Sequence, residues 1–211
     1  MGSDRRSVAD SLGRGGPDRL GPVVHRRQFD PSQSFGRGWG KKRGSEEPTD
    51  HALGRSRGGF SSKIHLVADG AGIPLAVHVT AGQTHESTQF EETMNAVRIP
   101  QPLGRPRTRP QRLAGDKGYS YPRIRAWLRE HGIAAVIPQR DDQIEHHRGR
   151  PIQFDKKAYR RRGMIECCVG WLKECRAIAT RFEKLAVNFL AMLKLALIQR
   201  YLRLLDSSDR T

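Results

Sequence analysis

Residues 158–181 read AYRRRGMIECCVGWLKECRAIATR, and this stretch has the periodicity of an amphipathic helix. At about 100° per residue, Tyr159, Arg162, Glu166 and Lys173 fall on one face of such a helix. The apolar residues of the opposite face are Met164, Ile165, Cys168, Trp171, Leu172 and Cys175. The pattern predicts a helix over about 155–179 that buries its apolar face and presents one carboxylate among two cations and a phenol.

This polar face has two interpretations on spacing alone. Arg162 and Glu166 are i,i+4 partners, and a charged stripe opposite an apolar one is commonly a solvated helix surface. Alternatively, the carboxylate of Glu166 holds a divalent metal ion while the neighbouring cations meet phosphate oxygens. Spacing does not decide between these interpretations.

The composition favours a polyanionic partner. Of the 211 residues, 38 are lysine or arginine and 22 are aspartate or glutamate, so the formal net charge is +16. Nucleic acid is the commonest partner of such a chain. A basic composition can also reflect a genome that uses arginine freely, because charge informs association and not fold.

Several features bear on the cellular location. The N-terminus lacks the apolar segment of a signal peptide, and the longest apolar stretch, 185–198, is interrupted by Asn188 and Lys194, which disfavours a membrane span. The three cysteines are odd in number and lack paired metal-ligand spacing, so we expect reduced residues rather than disulfides or a zinc site. We therefore expect a cytoplasmic protein with no membrane partner.

The chain changes character at about residue 53. Residues 1–53 are rich in Gly, Arg, Ser, Asp and Pro, so we expect a disordered or non-native basic segment in which Leu20, Val23 and Val24 alone hint at a strand. We expect one domain over 54–205, followed by a tail at 206–211. Its patterns predict strands at 62–68, 73–80, 112–116 and 133–138, and helices at 86–97, 121–131, 155–179 and 182–205. Residues 139–153 are expected to form a loop, and Thr84 or Ser87 is expected to cap the first helix. This order indicates an α/β layered fold.

A second carboxylate, Asp116, ends the apolar segment RLAGD at 112–116. Ligands commonly bind at the carboxyl ends of strands in such sheets, and the helix that carries Glu166 must pack against the same sheet. Two carboxylates brought together repel each other, and a divalent cation relieves that repulsion and can assist in-line displacement at phosphorus. Asp116 also precedes Gly118, and Asp-x-Gly is common turn chemistry, so a turn role is the alternative.

Four segments of the chain resemble insertion-sequence DDE transposases, whose catalytic domain has a ribonuclease-H-like fold. The segments are HALGRSRGGFSSKIHLVADGAGIPLAVHVTAGQTHES at 51–87, RLAGDKGYS at 112–120, AYRRRGMIECCVGWLK at 158–173 and RAIATRFEKLA at 176–186. The resemblance extends over about 50–205 and implies a ribonuclease-H-like mixed sheet flanked by helices.

The resemblance also implies roles for individual residues. Asp116 and Glu166 match the second and third catalytic carboxylates and would bind Mg2+ or Mn2+. The residues implied to lie at or near the DNA backbone are Tyr159, Arg162, Lys173, Arg55 and Arg57. His85 falls in a loop that could touch the site, and a capping or core role for it is the alternative.

One element of the family pattern is not found in the sequence. The family places a first catalytic aspartate at the end of an apolar strand upstream of the G-R-S-R-G-G loop, and nothing in residues 1–50 fits that description. Asp18 and Asp30 are the nearest candidates, and Asp69 is expected in a hairpin turn. We therefore expect the first strand to be missing or degraded and the active site to be incomplete, because the gene is truncated at its start or read in the wrong frame.

Three functions are compatible with the resemblance. The first is metal-dependent DNA cleavage and strand transfer at the ends of a bacterial insertion sequence, by a chain that the incomplete site would leave inactive. The alternative is a non-catalytic, basic DNA-binding remnant of a transposase, and a ribonuclease-H-like nuclease is a third reading. The implied partners are element ends, target DNA and further copies of the chain when it is bound to DNA, which also implies association with the nucleoid.

Overall fold

The chain folds into a sheet with helices on both faces. A computed structural model describes residues 23–29, 50–56, 59–99, 101, 103–146 and 152–208. The strands within these residues are β1 (Val23–Phe29), β2 (Gly54–Ser56), β3 (Gly59–Ala68), β4 (Pro74–Ala81), β5 (Arg112–Ala114) and β6 (Ala134–Val136). The helices are α1 (Glu86–Asn95), α2 (Pro122–Glu130), α3 (Asp141–Glu145), α4 (Lys156–Arg160), α5 (Gly163–Glu174), α6 (Arg176–Ala179) and α7 (Ala186–Ser208). A 3₁₀ turn at Lys117–Tyr119 follows β5.

The sheet has mixed topology. Hydrogen bonding joins the strands in the order β4-β3-β1-β5-β6, and the short β2 pairs with the first residues of β3. β3 is antiparallel to both β4 and β1, whereas β1 is parallel to β5 through the pair Val23 and Ala114. Because β5 and β6 are also parallel, β4, β1, β5 and β6 all run in one direction and end at the same edge of the sheet.

The first strand was expected to be missing or degraded; a strand is present at this place, and it carries no carboxylate. Val23–Phe29 forms β1, an interior strand paired to β3 along its whole length, from Val23 opposite Ala68 to Phe29 opposite Ser62. Its sequence, VVHRRQF, lacks the alternation that indicates a half-buried strand, but pairing with β3 over all seven residues holds its backbone in a ladder whatever side chains it carries. The rest of 1–49 lies outside the described residues, so the boundary near 53 stays a prediction.

The helices cover the sheet in two layers. On one face, α5, α6 and α7 pack on the sheet around a core that contains Ile64, Leu66, Ala114, Val136, Ile165, Cys168, Leu172, Ile178, Phe189 and Leu193. On the other face, α1 and α2 enclose Val67, Phe90, Met94, Leu113, Tyr119, Ile124 and Leu128. Alternate residues of β3 and β5 supply the two cores, as the period of a strand requires. The predicted α/β layered fold is confirmed.

The predicted long helix is interrupted twice. Between α4 and α5, Arg162 N donates to Tyr159 O at 3.0 Å and Met164 N donates to Arg161 O at 3.1 Å, which is the tighter i→i−3 pattern. Gly163, a poor helix former, follows this turn. Between α5 and α6 the backbone of Cys175 is extended (φ −73°, ψ 98°). Side-chain periodicity continues across such turns, so the prediction of one helix over 155–179 was wrong about its continuity.

Two smaller expectations also differ from the structure. Residues 139–153 were expected to form a loop, but they contain α3, in which the side chain of Gln143 accepts a hydrogen bond from Ser120 Oγ at 2.7 Å. The N-cap of α1 is His85 rather than Thr84 or Ser87, and its Nδ1 accepts a hydrogen bond from Ser87 N at 3.3 Å. A histidine is an uncommon cap, which is why propensity favoured the hydroxyl residues.

We expect His65 to make stability depend on pH. The His65 side chain is 1% exposed, and its Nε2 lies 2.8 Å from Thr80 Oγ1. Burial, and then the neighbouring His78 and Lys63, lower the pKa of His65 to about 4. Because the folded-state pKa lies below the ordinary value of 6.5, the stabilisation is complete above pH 6.5 and is lost as the pH falls towards 4.

Urea unfolding at pH 7 and pH 5 measures this effect. The free energy of unfolding should drop by about 2 kcal/mol more in the wild type than in His65→Gln. His146→Gln is the matched control, because it removes an imidazole from the surface rather than from the core. Equal drops in the wild type and His65→Gln would contradict the assignment.

Candidate active site and nucleic-acid interface

Asp116 lies at the carboxyl end of β5, where the sequence predicted it. It is the N-cap of the 3₁₀ turn, and its Oδ1 accepts a hydrogen bond from Gly118 N at 2.8 Å. The turn role is therefore present in the structure. The turn uses only one carboxylate oxygen, because Asp116 is half-exposed and its Oδ2 accepts no hydrogen bond from the described part of the chain.

Glu166 lies in the first turn of α5 next to two of the residues predicted with it. Its Oε1 is 3.6 Å from Arg162 Nη1, and the Arg162 guanidinium lies 5.4 Å from the centroid of the Tyr159 ring. The predicted grouping of Tyr159, Arg162 and Glu166 is thus observed as one continuous contact. Lys173 is exposed two turns further along α5. The Arg162–Glu166 pair is also what a solvated helix face would show.

The chain neighbours of both carboxylates belong to one core cluster. Ala114, two residues before Asp116, and Ile165, next to Glu166, belong to the same core cluster. However, no three His, Cys, Asp or Glu side chains of the described residues form a group that could hold a metal ion. β1 contains no carboxylate, and continuing its register with β5 by two residues brings His25 level with Asp116.

The candidates for a first carboxylate do not complete the site. Asp18 and Asp30 lie outside the described residues. Asp69 occupies the β3–β4 turn as predicted, where its Oδ1 accepts hydrogen bonds from Ala71 N and Ile73 N at 2.9 and 2.8 Å. The described residues therefore supply two of the carboxylates predicted for a divalent ion, Asp116 and Glu166, and not the first.

Sequence reasoning missed a buried carboxylate beside Asp116. The Glu86 Oε1 lies 3.1 Å from Lys63 Nζ, which also donates to Thr84 O at 2.6 Å. A Cβ built on Gly118 would lie 2.8 Å from Asp116 Oδ1 and 3.7 Å from Glu86 Oε2, so the two carboxylates approach Gly118 together. In the sequence, a glutamate at the start of a helix indicates only a favourable interaction with the helix dipole. The signal that could have revealed the buried Lys63–Glu86 pair was a lysine within the apolar strand β3.

The remaining predicted residues are distributed as follows. Arg55 is exposed on β2, an outer strand of the sheet, whereas Arg57 lies outside the described residues. The capping role for His85 is confirmed, and its Nε2 lies 3.1 Å from the hydroxyl of Tyr121. Within the described ranges, no helix is long and apolar enough to cross a membrane.

The cysteines behave as the sequence predicted. Cys167, Cys168 and Cys175 are all free thiols, and Cys168 is fully buried on the inner face of α5. Burial raises the pKa of the Cys168 thiol. A buried thiol of raised pKa is unreactive, which supports a packing role.

Fold and site together define a basic α/β/α protein that places carboxylates at a strand end and on a covering helix. The family described as "Transposase DDE domain" matches residues 25–199, which include most of β1 and both carboxylates. The chain therefore belongs to the DDE transposase family.

Two curated proteins illustrate the relationship. The chain is 35% identical, over 196 residues, to a Burkholderia cepacia protein assigned as a transposase for insertion sequence element IS402, which covers 92% of this chain and 83% of that protein. It is 25% identical, over 144 residues, to a Brucella ovis protein assigned as a transposase for insertion sequence element IS6501, which covers 68% of this chain and 100% of that protein.

Proposed function

We propose that the chain is the transposase of a bacterial insertion sequence and acts at the ends of the element by metal-dependent DNA cleavage and strand transfer. Family membership and the assignments of both relatives support this function. The strand order β4-β3-β1-β5-β6, with β3 alone antiparallel among these five, supports a ribonuclease-H-like domain. The observation that carries the proposal is Asp116 at the carboxyl end of β5, together with the Arg162–Glu166 contact at the start of α5.

The basic residues of α4 and α5 supply the affinity for DNA in this proposal. Lys156, Lys157 and Arg160 are exposed on α4, and the exposed Arg161 follows the helix immediately before Arg162. Their charges would meet phosphate oxygens and release counterions, so binding should weaken steeply as salt rises. The guanidinium of Arg162 is oriented by the Tyr159 ring, which favours directed contact with one phosphate.

A divalent ion, when bound, would polarise the phosphodiester and lower the pKa of an attacking water. Asp116 and Glu166 are two of the carboxylates that such an ion requires, and the described residues do not supply a third. What the chain itself provides is the fixed Asp116 carboxylate, held by Gly118 N, and a cationic helix to position the strand.

Nicking of end-containing DNA tests the function. The purified chain with Mg2+ or Mn2+ should nick a duplex that carries the element end, and Asp116→Asn and Glu166→Gln should each reduce the rate by at least about 100-fold. Glu174→Gln is the matched control, because Glu174 is exposed on the same helix. Equal rates for Glu166→Gln and Glu174→Gln would contradict the role of Glu166.

A second function, DNA binding without catalysis, is favoured by the composition of β1. None of its residues, VVHRRQF, is a carboxylate, although β1 lies beside the strand that leads to Asp116. Under this function the wild type would retard end-containing DNA but leave it intact with either metal, and Asp116→Asn would bind as tightly as the wild type.

A further inference from the structure

Four residues outside the predicted site surround the carboxyl ends of parallel strands. His85 follows β4, Lys117 and Tyr121 follow β5, and Arg140 follows β6. Because these strands run in the same direction, the loops that follow them share one edge of the sheet, which is the usual position of a ligand in such folds. Asp116 directly precedes Lys117 at the same edge.

The Tyr121 ring is the centre of this group. Its hydroxyl lies 3.1 Å from His85 Nε2, and the two rings meet edge to face at 5.4 Å. The guanidinium of Arg140 lies 4.2 Å from the centroid of the Tyr121 ring, within cation–π distance. Tyr121 thereby orients two groups that can approach an anion.

Arg140 is also held by its backbone and by its Nε. The Nε donates to Lys117 O at 3.2 Å, and the backbone N donates to Gln143 Oε1 at 3.2 Å. Gln143 is in turn fixed by Ser120, whose Oγ donates to Gln143 Oε1 at 2.7 Å. These contacts fix the orientation of the Arg140 guanidinium in the absence of a ligand.

The terminal nitrogens of Arg140 are available to a ligand. Neither Nη1 nor Nη2 donates a hydrogen bond to a described residue, and the side chain is half-exposed. The nearest acid in sequence, Asp141, pairs instead with Lys117 Nζ at 3.0 Å. A fork of two N–H donors with a fixed plane matches two oxygens of one phosphodiester.

We propose, on the basis of the function proposed above, that Arg140 binds a phosphodiester of the DNA strand that passes Asp116. Tyr121 and the carbonyl of Lys117 position the guanidinium, and His85 borders the same edge. Arg140 is thus a DNA-positioning residue at the carboxyl ends of β5 and β6, separate from the basic helix α4. A net charge of +16 favours a polyanionic strand over a small anion.

Fluorescence anisotropy with an end-containing duplex in EDTA tests this contact without depending on catalysis. Arg140→Gln should weaken binding about 5- to 20-fold at moderate salt and reduce the slope of log K against log salt by about 1. Arg129→Gln is the matched control, because Arg129 is exposed on α2 and loses the same charge. Its affinity and slope should stay close to those of the wild type.

Two further variants separate a directed contact from net charge and from misfolding. Arg140→Lys keeps the charge but not the fork, so we expect at least half of the loss of binding free energy seen in Arg140→Gln. Tyr121→Leu leaves Arg140 in place but removes its ring support, so its affinity should also fall, whereas Tyr121→Phe should bind like the wild type. Unchanged thermal midpoints would show that each variant is folded.

The outcomes distinguish this inference from the function on which it rests. If the wild type does not bind end-containing DNA, the proposed function fails. If the wild type binds and Arg140→Gln binds as tightly with the same salt slope, the phosphate contact is overturned while the function stands. If Arg140→Lys is indistinguishable from the wild type, Arg140 contributes only charge and the directed contact is likewise overturned.

Discussion

Replacing Arg181 with alanine is expected to lower the free energy of unfolding by about 3–5 kcal/mol. Arg181 is completely buried. Its guanidinium donates to a backbone carbonyl two residues away and to two others that lie 129 and 130 residues away in the sequence. Its Nη1 donates to Ala52 O at 3.2 Å, its Nη2 donates to His51 O, and its Nε donates to Glu183 O at 3.2 Å. The side chain therefore joins the segment before β2 to the turn before α7.

The size of the effect follows from what alanine would leave behind. Ala52 O keeps its hydrogen bond from Ser62 Oγ, whereas the part-buried His51 O and Glu183 O lose the guanidinium donor at a cost of about 1–3 kcal/mol each, and the contact between the guanidinium and the Phe189 ring, at 4.7 Å, is lost as well. Burial lowers the pKa of Arg181 to about 10, so the side chain is still charged at neutral pH and its hydrogen bonds are charge-assisted.

Urea unfolding of Arg181→Ala and Arg176→Ala measures this contribution. Arg176 is exposed on α6, so its removal should change the free energy of unfolding by about 0.5 kcal/mol or less. A loss in Arg181→Ala no larger than that in Arg176→Ala would show that the carbonyls find other donors.

Replacing Lys63 with methionine is expected to cost a similar amount, about 3–5 kcal/mol. The Lys63 and Glu86 side chains are only 10% and 8% exposed, and the change removes an ammonium that lies 3.1 Å from the Glu86 carboxylate. A buried carboxylate that loses a cation in a medium of low dielectric is strongly disfavoured. Because Glu86 and Asp116 approach Gly118 together, this change should also disturb the end of β5.

The chain contains a closely matched control for this pair. Lys117 Nζ and Asp141 Oδ1 are 3.0 Å apart, nearly the same distance, but their side chains are 56% and 84% exposed. Lys117→Met should therefore cost about 1 kcal/mol or less, because water screens an exposed pair. Adding Glu86→Leu to Lys63→Met should recover part of the loss, and a double variant less stable than Lys63→Met would contradict the account.

Local patterns predicted much of the fold because helix and strand periodicity report directly which face is buried. Ile165, Cys168 and Leu172 are buried and Glu166 is exposed, as the spacing in 158–181 predicted. The short apolar segment before Asp116 is a strand, as predicted, although it ends at Ala114 rather than at Asp116. These features depend on residues a few positions apart in sequence, so they can be read without knowing what packs against them.

The candidate site was only partly predictable because its contacts join residues that are far apart in the sequence. Lys63 and Glu86 are 23 residues apart, and Lys117 and Arg140 are also 23 apart, so neither contact has a local signature. The breaks on either side of α5 are likewise backbone events that leave the side-chain period intact. Such contacts arise only when the sheet brings the ends of its strands together.

The sequence by itself determined the charge of the chain, the burial pattern of α5, the position of Asp116 after a strand and the resemblance to its family. Tertiary structure alone decided that VVHRRQF is a central strand, because its strand character comes from the neighbours β3 and β5 rather than from its own side chains. It also decided that Arg140 lies on Tyr121 at the edge where Asp116 is found, because that edge exists only once parallel strands are aligned.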